Sequence, residues 1–203
     1  MNQETRLKII EENPELTKDI KILSFVLLPI ELWCLQAIIK FSKPMTTREF
    51  FSTSLISLGN FLFLKTVPFG IKNIFQNPSE GLNLADKFTI LSQDKQEYKK
   101  LSERFVNSLE KSETEQSKEL MKIFSQIKIK YPSYDLFKSS LNNLQYLGIL
   151  VKRKRGSESK QEYWVVNPPF FENFKDKFLE IFELNNSILD LKPYEDLLKE
   201  VTS

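Results

Sequence analysis

Hydrophobic residues recur at a helical spacing along most of this chain. The most apolar stretch, residues 23–39, contains Pro29, and proline is favoured in the first turn of a helix. We therefore predict a helix from Pro29 to about Phe41. Its regularly spaced apolar positions are Leu32, Leu35, Ile38 and Ile39. Pro29 and Glu31, an acid that costs about 2–3 kcal/mol in hydrocarbon, favour a buried helix over a membrane span.

The residues that follow predict a turn and then a second helix. Lys43 and Pro44 end the first helix, because proline cannot continue it. Thr46 and Glu49 have the spacing of a capping box, in which two side chains satisfy free backbone N–H groups at a helix start.

Three further segments also favour helices. Residues 1–22 are polar and predict a short helix broken at Pro14. Residues 55–75 are strongly apolar and predict core helix or a surface between subunits. Residues 93–130 predict two helices divided by the charged segment "EKSETEQSKE".

The clearest single helix is predicted to begin near Ser133, a preferred N-cap residue type, and to end at Gly148. Its predicted buried stripe consists of Phe137, Leu141, Leu144 and Leu147. Two short strands, 149–153 and 161–166, follow around a polar loop and predict a β-hairpin. Asn167 and Pro168 end the hairpin, since proline has no N–H to donate to a ladder.

The tail of the chain carries phenylalanines at i, i+4 spacing, which form one stripe on an amphipathic helix. These residues are Phe170, Phe174, Phe178 and Phe182. The stripe fits either an intramolecular core or a dimer interface, and both interpretations stay open.

Composition narrows the class of protein. A chain of 203 residues suits one large domain or two small ones, and 41% hydrophobic with 28% charged residues is typical of a soluble globular protein. The many phenylalanines and few glycines favour helices. The net charge of +2 predicts no partner, so any electrostatic argument has to be local.

The chain has few of the residue types that commonly serve as catalytic groups or metal ligands. The chain has no histidine and one cysteine, Cys34, which lies in an apolar stretch and is predicted to be a buried thiol. The common general base and a zinc ligand set are therefore missing, and no glycine-rich phosphate loop is present. We expect neither an enzyme nor a cofactor or metal, and no signal peptide is visible.

The order of elements resembles a winged helix-turn-helix domain, although it identifies no specific family. "LPIELWCLQAIIKFSKPMTTREFF" resembles the first two helices, "SYDLFKSSLNNLQYLGIL" the recognition helix and its exit, and "VKRKRGSESKQEYWVV" the wing. The fold class predicted from this resemblance is mainly α with a small antiparallel β-hairpin and additional helices.

About eighty residues separate the second and third of these helices, whereas in the family they are near neighbours. Either a helical arm is inserted, or the first two helices are drawn from 97–130 and residues 23–75 form a separate unit. The first alternative gives an extension at 1–22, a winged-helix domain at 23–168 with an insertion at about 56–130, and C-terminal helices at 169–203.

The resemblance implies a DNA-binding regulator of transcription, which reads duplex DNA with the helix at 133–147 and the basic wing at 152–160. The residues expected at this interface are Lys138, Ser139, Asn142, Asn143, Gln145, Lys152, Arg153, Lys154, Arg155 and Lys160. Amide side chains pair with adenine, and lysine or serine holds phosphate.

Local charge agrees with this hypothesis. Residues 118–160 hold ten Lys/Arg against three Asp/Glu, whereas residues 170–200 hold four against eight. Strand alternation nevertheless divides the basic run between two faces, Lys152 and Lys154 on one and Arg153 and Arg155 on the other.

Partner and location follow as expectations. We expect double-stranded DNA, a homodimer made by the phenylalanine stripe, no membrane, and a cytoplasmic, nucleoid-associated place, or a nuclear one in a eukaryote.

A basic hairpin is also common on solvated surfaces. The alternative function is a winged-helix protein-interaction subunit of a larger assembly, without direct DNA contact.

Overall fold

The computed structural model describes residues 2–12, 26–64, 93–154 and 161–173, and residues 193, 194, 196, 197 and 199 near the C terminus. Helices α1 (Gln3–Glu12), α2 (Pro29–Phe41), α3 (Thr47–Leu64), α4 (Lys95–Ser108), α5 (Glu113–Gln126) and α6 (Tyr134–Tyr146) precede strands β1 (Leu150–Lys154) and β2 (Glu162–Val166). The prediction of a mainly helical chain with a small antiparallel hairpin is confirmed.

The described structure divides into two compact units. One contains residues 1–48 and 134–203, and the other contains residues 49–133, so α3 begins in the first unit and continues in the second. In the described ranges, no helix is both long enough and apolar enough to cross a membrane.

Helix α2 forms the centre of the first unit. Pro29 occupies its first turn, and Ser42 ends it in the left-handed conformation at φ 48°. Nearly every side chain from Ile30 to Ile39 is buried, as expected of a helix that is hydrophobic all round. Trp33 meets Phe137 of α6 edge-on, with ring centroids 5.8 Å apart.

Helix α6 leads into the hairpin through a tight glycine turn. Gly148 has φ +71°, a conformation that glycine adopts without steric cost. The N–H of Gly148 donates to the carbonyl of Gln145 at 3.0 Å, and the N–H of Ile149 donates to that of Leu144 at 2.9 Å. This Schellman motif satisfies the last carbonyls of α6 and begins the strand one residue later.

The hairpin is joined by a third segment. Lys152 pairs with Trp164 in the β1–β2 register, and Met45, between α2 and α3, forms an isolated bridge with Trp164 from the other side. Met45 N–H and Trp164 carbonyl are 3.2 Å apart, and the reverse bond is 2.8 Å. The indole N–H of Trp164 also donates to Thr47 Oγ1 at 3.1 Å, so the turn is held against the hairpin.

The second unit is built on a close contact between helices. A Cβ added to Gly59 of α3 would lie 2.0 Å from the ring of Phe105 in α4, a contact that only glycine permits. The hydroxyls of Ser52 and Ser117 lie 2.7 Å apart and connect α3 with α5. Arg104 of α4 donates to Glu119 of α5 through Nε at 3.0 Å and Nη2 at 2.6 Å.

Candidate nucleic-acid interface

The outer face of α6 carries four of the predicted contact residues. Phe137, Leu141 and Leu144 are buried, in agreement with the predicted stripe. The side chains on the opposite face are therefore turned to solvent, and Lys138, Ser139, Asn142 and Gln145 are all exposed. They present hydroxyl, amide and ammonium groups, the kinds of group that contact bases and phosphates.

Asn143 lies on the flank of α6 and has a different environment. It is half-buried, and its side-chain Nδ2 donates to Glu31 Oε1 at 3.2 Å. Glu31 is fully buried on α2, where Arg6 of α1 donates to both of its carboxylate oxygens and the N–H of Leu28 donates to Oε2 at 2.8 Å. We call Arg6, Leu28 N–H, Glu31 and Asn143 the Glu31 cluster.

The basic residues of strand β1 differ in how far acidic or aromatic neighbours compensate their charges. Lys152 Nζ lies 3.7 Å from Glu162 and 4.8 Å from the centroid of the Trp164 ring, so its charge is partly compensated. Arg153 and Lys154 are exposed, and neither forms an ion pair with an acid in the described part of the chain. Arg155 and Lys160 lie outside the described residues.

Acidic and apolar side chains share the surface of α6 with these groups. Asp135 is exposed in its first turn, where the helix dipole favours negative charge. Tyr134 is 43% exposed, Leu136 45% and Tyr146 49%. A tyrosine ring stacks on a base or packs on a protein, but an exposed leucine gains only from an apolar partner.

The stripe predicted to form a dimer lies mostly outside the described residues. Phe170 is half-buried at the start of the helical residues 168–173, while Phe174, Phe178 and Phe182 are not described. Phe171, its neighbour, is fully buried and its ring centroid is 5.1 Å from that of Tyr194.

Two contacts in the first unit, Met45 with Trp164 and Arg6 with Glu31, escaped prediction from the sequence. Met45 sits between a proline and two threonines, a pattern that predicts a turn, and nothing in it marks a strand bridge. Arg6 lies in a polar helix, where a buried arginine is uncommon. Glu31 between apolar neighbours was the one usable signal, because a buried acid requires a partner.

Other chemistry has little support among the described residues. Cys34 is buried as predicted, and burial, followed by the nearby Glu31, raises the pKa of its thiol. The pKa shift keeps the thiol protonated, which opposes a nucleophilic role. In the ranges that the structure covers, no three His, Cys, Asp or Glu side chains are grouped so that they could hold a metal ion.

Comparisons of the chain with family models, with curated proteins and with solved structures find no match.

Proposed function

We propose that the first unit is a winged helix-turn-helix domain that binds duplex DNA. In the first unit, the order α2, turn, first residues of α3, α6, β1, β2 supports this proposal, and residues 49–133, which include most of α3, form the second unit. The Met45–Trp164 bridge adds further support. This bridge holds the turn between α2 and α3 against the hairpin. A wing has to be held in this way if it is to bind DNA together with the helices.

One observation carries the proposal: the exposed polar face of α6 continues directly into a basic strand. Gly148 turns the chain from α6 into β1 within a few residues. A helix laid in the major groove by its Lys138, Ser139 and Asn142 face then has a basic hairpin attached at its C-terminal end. In winged domains this hairpin reaches the backbone beside the groove.

The charges favour modest affinity that depends on salt. Lys138, Arg153 and Lys154 are the exposed cations on α6 and β1 without an acidic partner among the described residues. Lys152 contributes less, because Glu162 already lies close to it. Three neutralised phosphates give a slope of log K against log salt of about −3.

A binding titration with matched variants tests this function. We expect Arg153→Ala/Lys154→Ala to weaken binding of a fluorescent random-sequence duplex at low salt. The control is Lys95→Ala/Lys99→Ala on α4, which removes the same charge from exposed positions of the second unit. An equal loss of duplex affinity in the two variants would mean that binding depends only on net charge, and would refute a specific role for the wing.

A protein-interaction function is the second candidate, and the exposed Leu136 with Tyr134 and Tyr146 favours it. Apolar groups at the recognition surface gain more from a protein partner than from phosphate. On this alternative, nuclease-treated preparations retain a stoichiometric protein partner, and Leu136→Ser releases it. Recovery of the chain without a partner, together with duplex binding, decides against this candidate.

A homodimer remains part of the proposal, because a two-fold regulator reads a two-fold operator. Its support is the spacing of the phenylalanine stripe in the sequence. We expect light scattering to give a dimer for the wild type and a monomer for Phe174→Asp/Phe178→Asp. A folded wild type that is monomeric at high concentration would exclude this part.

A further inference from the structure

Helix α1 packs on the rest of the first unit through a buried charged side chain. Among its side chains that the structure describes, Arg6 is the one that is buried, at 4% exposure, while Leu7 and Ile9 are half-buried. Its other described side chains, such as Lys8 and Glu12, are exposed. The buried contact of α1 is therefore a charged side chain, whereas a helix usually docks through an apolar stripe.

The partner of Arg6 is fully enclosed. Glu31 is 0% exposed, and the guanidinium donates to both carboxylate oxygens, the two-pronged geometry that suits arginine. Arg6 Nε is buried and has no hydrogen-bond partner among the described residues. Arg6 therefore pays a desolvation cost that its hydrogen bonds only partly offset, so α1 is held less firmly than its enclosed contact suggests.

The same carboxylate reaches the helix that we propose reads DNA. Glu31 Oε1 accepts from Asn143 of α6, and Oε2 accepts from the N–H of Leu28, the N-cap of α2. If Arg6 leaves, the negative charge of Glu31 remains enclosed beside α2 and α6 without a cation among the described residues. An enclosed, unpaired charge is strongly unfavourable, so loss of Arg6 favours opening of the Glu31 cluster to water.

A helix of ten residues is marginal in water by itself, so α1 is expected to lose its helical structure when it leaves. We propose that α1 is a regulatory helix that docks and releases as a unit, and that docking of Arg6 on Glu31 fixes the junction between α2 and α6. The device is independent of whether the ligand of α6 is DNA or protein.

Cys34 provides the readout, because it is the only cysteine in the chain and lies one helical turn after Glu31, with 0% exposure. Its reaction with an aromatic disulfide reagent reports opening of the junction. We expect Arg6→Met to raise the reaction rate roughly 10-fold or more. Lys8→Met, which removes a charge from the exposed side of α1, should leave the rate unchanged.

A double-mutant cycle separates loss of charge compensation from loss of packing. In a chain that already carries Glu31→Gln, Arg6→Met should have a much smaller effect on the rate, because no carboxylate is left unpaired. If Arg6→Met does not fold, Arg6→Gln takes its place in the cycle, since it also removes the charge but keeps N–H donors for the carboxylate.

Hydrogen exchange of the same proteins gives a second readout. In Arg6→Met, the amides of α1 and of the first turn of α2 should lose protection together. An unchanged thiol rate, or an equal rise with and without Glu31→Gln, would overturn the proposal. Neither readout involves nucleic acid, so failure here is distinguishable from failure of the DNA-binding function.

Discussion

Substitution of Gly59 by alanine tests the close contact on which the second unit is built. Alanine is about 1 kcal/mol better than glycine inside a helix, so helix propensity alone predicts that Gly59→Ala stabilises the protein. Sterics predict the opposite. The added Cβ would lie 2.0 Å from Cε2, 2.5 Å from Cδ2 and 2.7 Å from Cζ of Phe105, all shorter than van der Waals contact.

Phe105 has little freedom to move away. It is fully buried, and its ring centroid lies 5.5 Å from that of Phe63. Overpacking of this kind costs about 1–3 kcal/mol, and three overlapping ring atoms place Gly59→Ala toward the upper end. After the gain in helix propensity, we expect a net loss of about 1–2 kcal/mol in the free energy of unfolding.

Urea unfolding followed by far-UV circular dichroism measures this loss. A cycle with Phe105→Leu provides the control, because the smaller side chain removes the ring atoms that meet the new Cβ. In that background, Gly59→Ala should be neutral or stabilising, as its helix propensity predicts. The reasoning is refuted if Gly59→Ala is as stable as the wild type, or if Phe105→Leu leaves its cost unchanged.

Three further predictions concern single contacts. Gly148→Ala should lower the free energy of unfolding by about 1–2 kcal/mol in thermal melts and Gly148→Asn by less, because the φ of +71° disfavours a Cβ even though nothing lies within 4 Å of one. Tyr194→Phe should cost about 1–3 kcal/mol in urea unfolding, since the Val166 N–H that donates to the phenol oxygen at 2.8 Å loses its buried partner. The hydrogen bond from Arg104 lowers the pKa of Glu119, so its stabilisation is present above the unfolded pKa and is lost as pH falls through the folded value. The stability difference between wild type and Arg104→Met should therefore shrink in acid, and a difference that is constant from neutral pH to below about pH 4 would contradict that origin.

Local signals in the sequence were sufficient for the main elements of the first unit. Pro29 and Gly148 each act through backbone geometry within their own turn. Helix α2 begins at Pro29, and α6 begins directly after Ser133 and ends shortly before Gly148. The helical spacing of apolar residues likewise predicted the buried face of α6, and two short runs around a polar loop predicted both strands of the hairpin. These features depend on neighbours within about one turn, which the sequence displays directly.

Contacts between distant segments were beyond such local signals. Asn143 and Glu31 are 112 positions apart in the sequence. The whole second unit lies between Met45 and Trp164 in the sequence, although the two residues form a bridge. An amide on a helix flank has the same local pattern whether it meets a carboxylate or a base. The sequence therefore assigned Asn143 to the DNA-reading face, while the structure shows its amide bonded to Glu31.

The salt dependence of duplex binding is the most direct test of whether the first unit binds DNA. Fluorescence anisotropy of a labelled duplex, titrated with the full chain at several salt concentrations, should give a log–log slope of about −3 for the wild type. In each of the single variants Arg153→Ala and Lys154→Ala, the slope should become less steep by about 1. Absence of duplex binding at low salt, or the same slope in all three proteins, would contradict the proposal that the first unit is a DNA-binding winged helix.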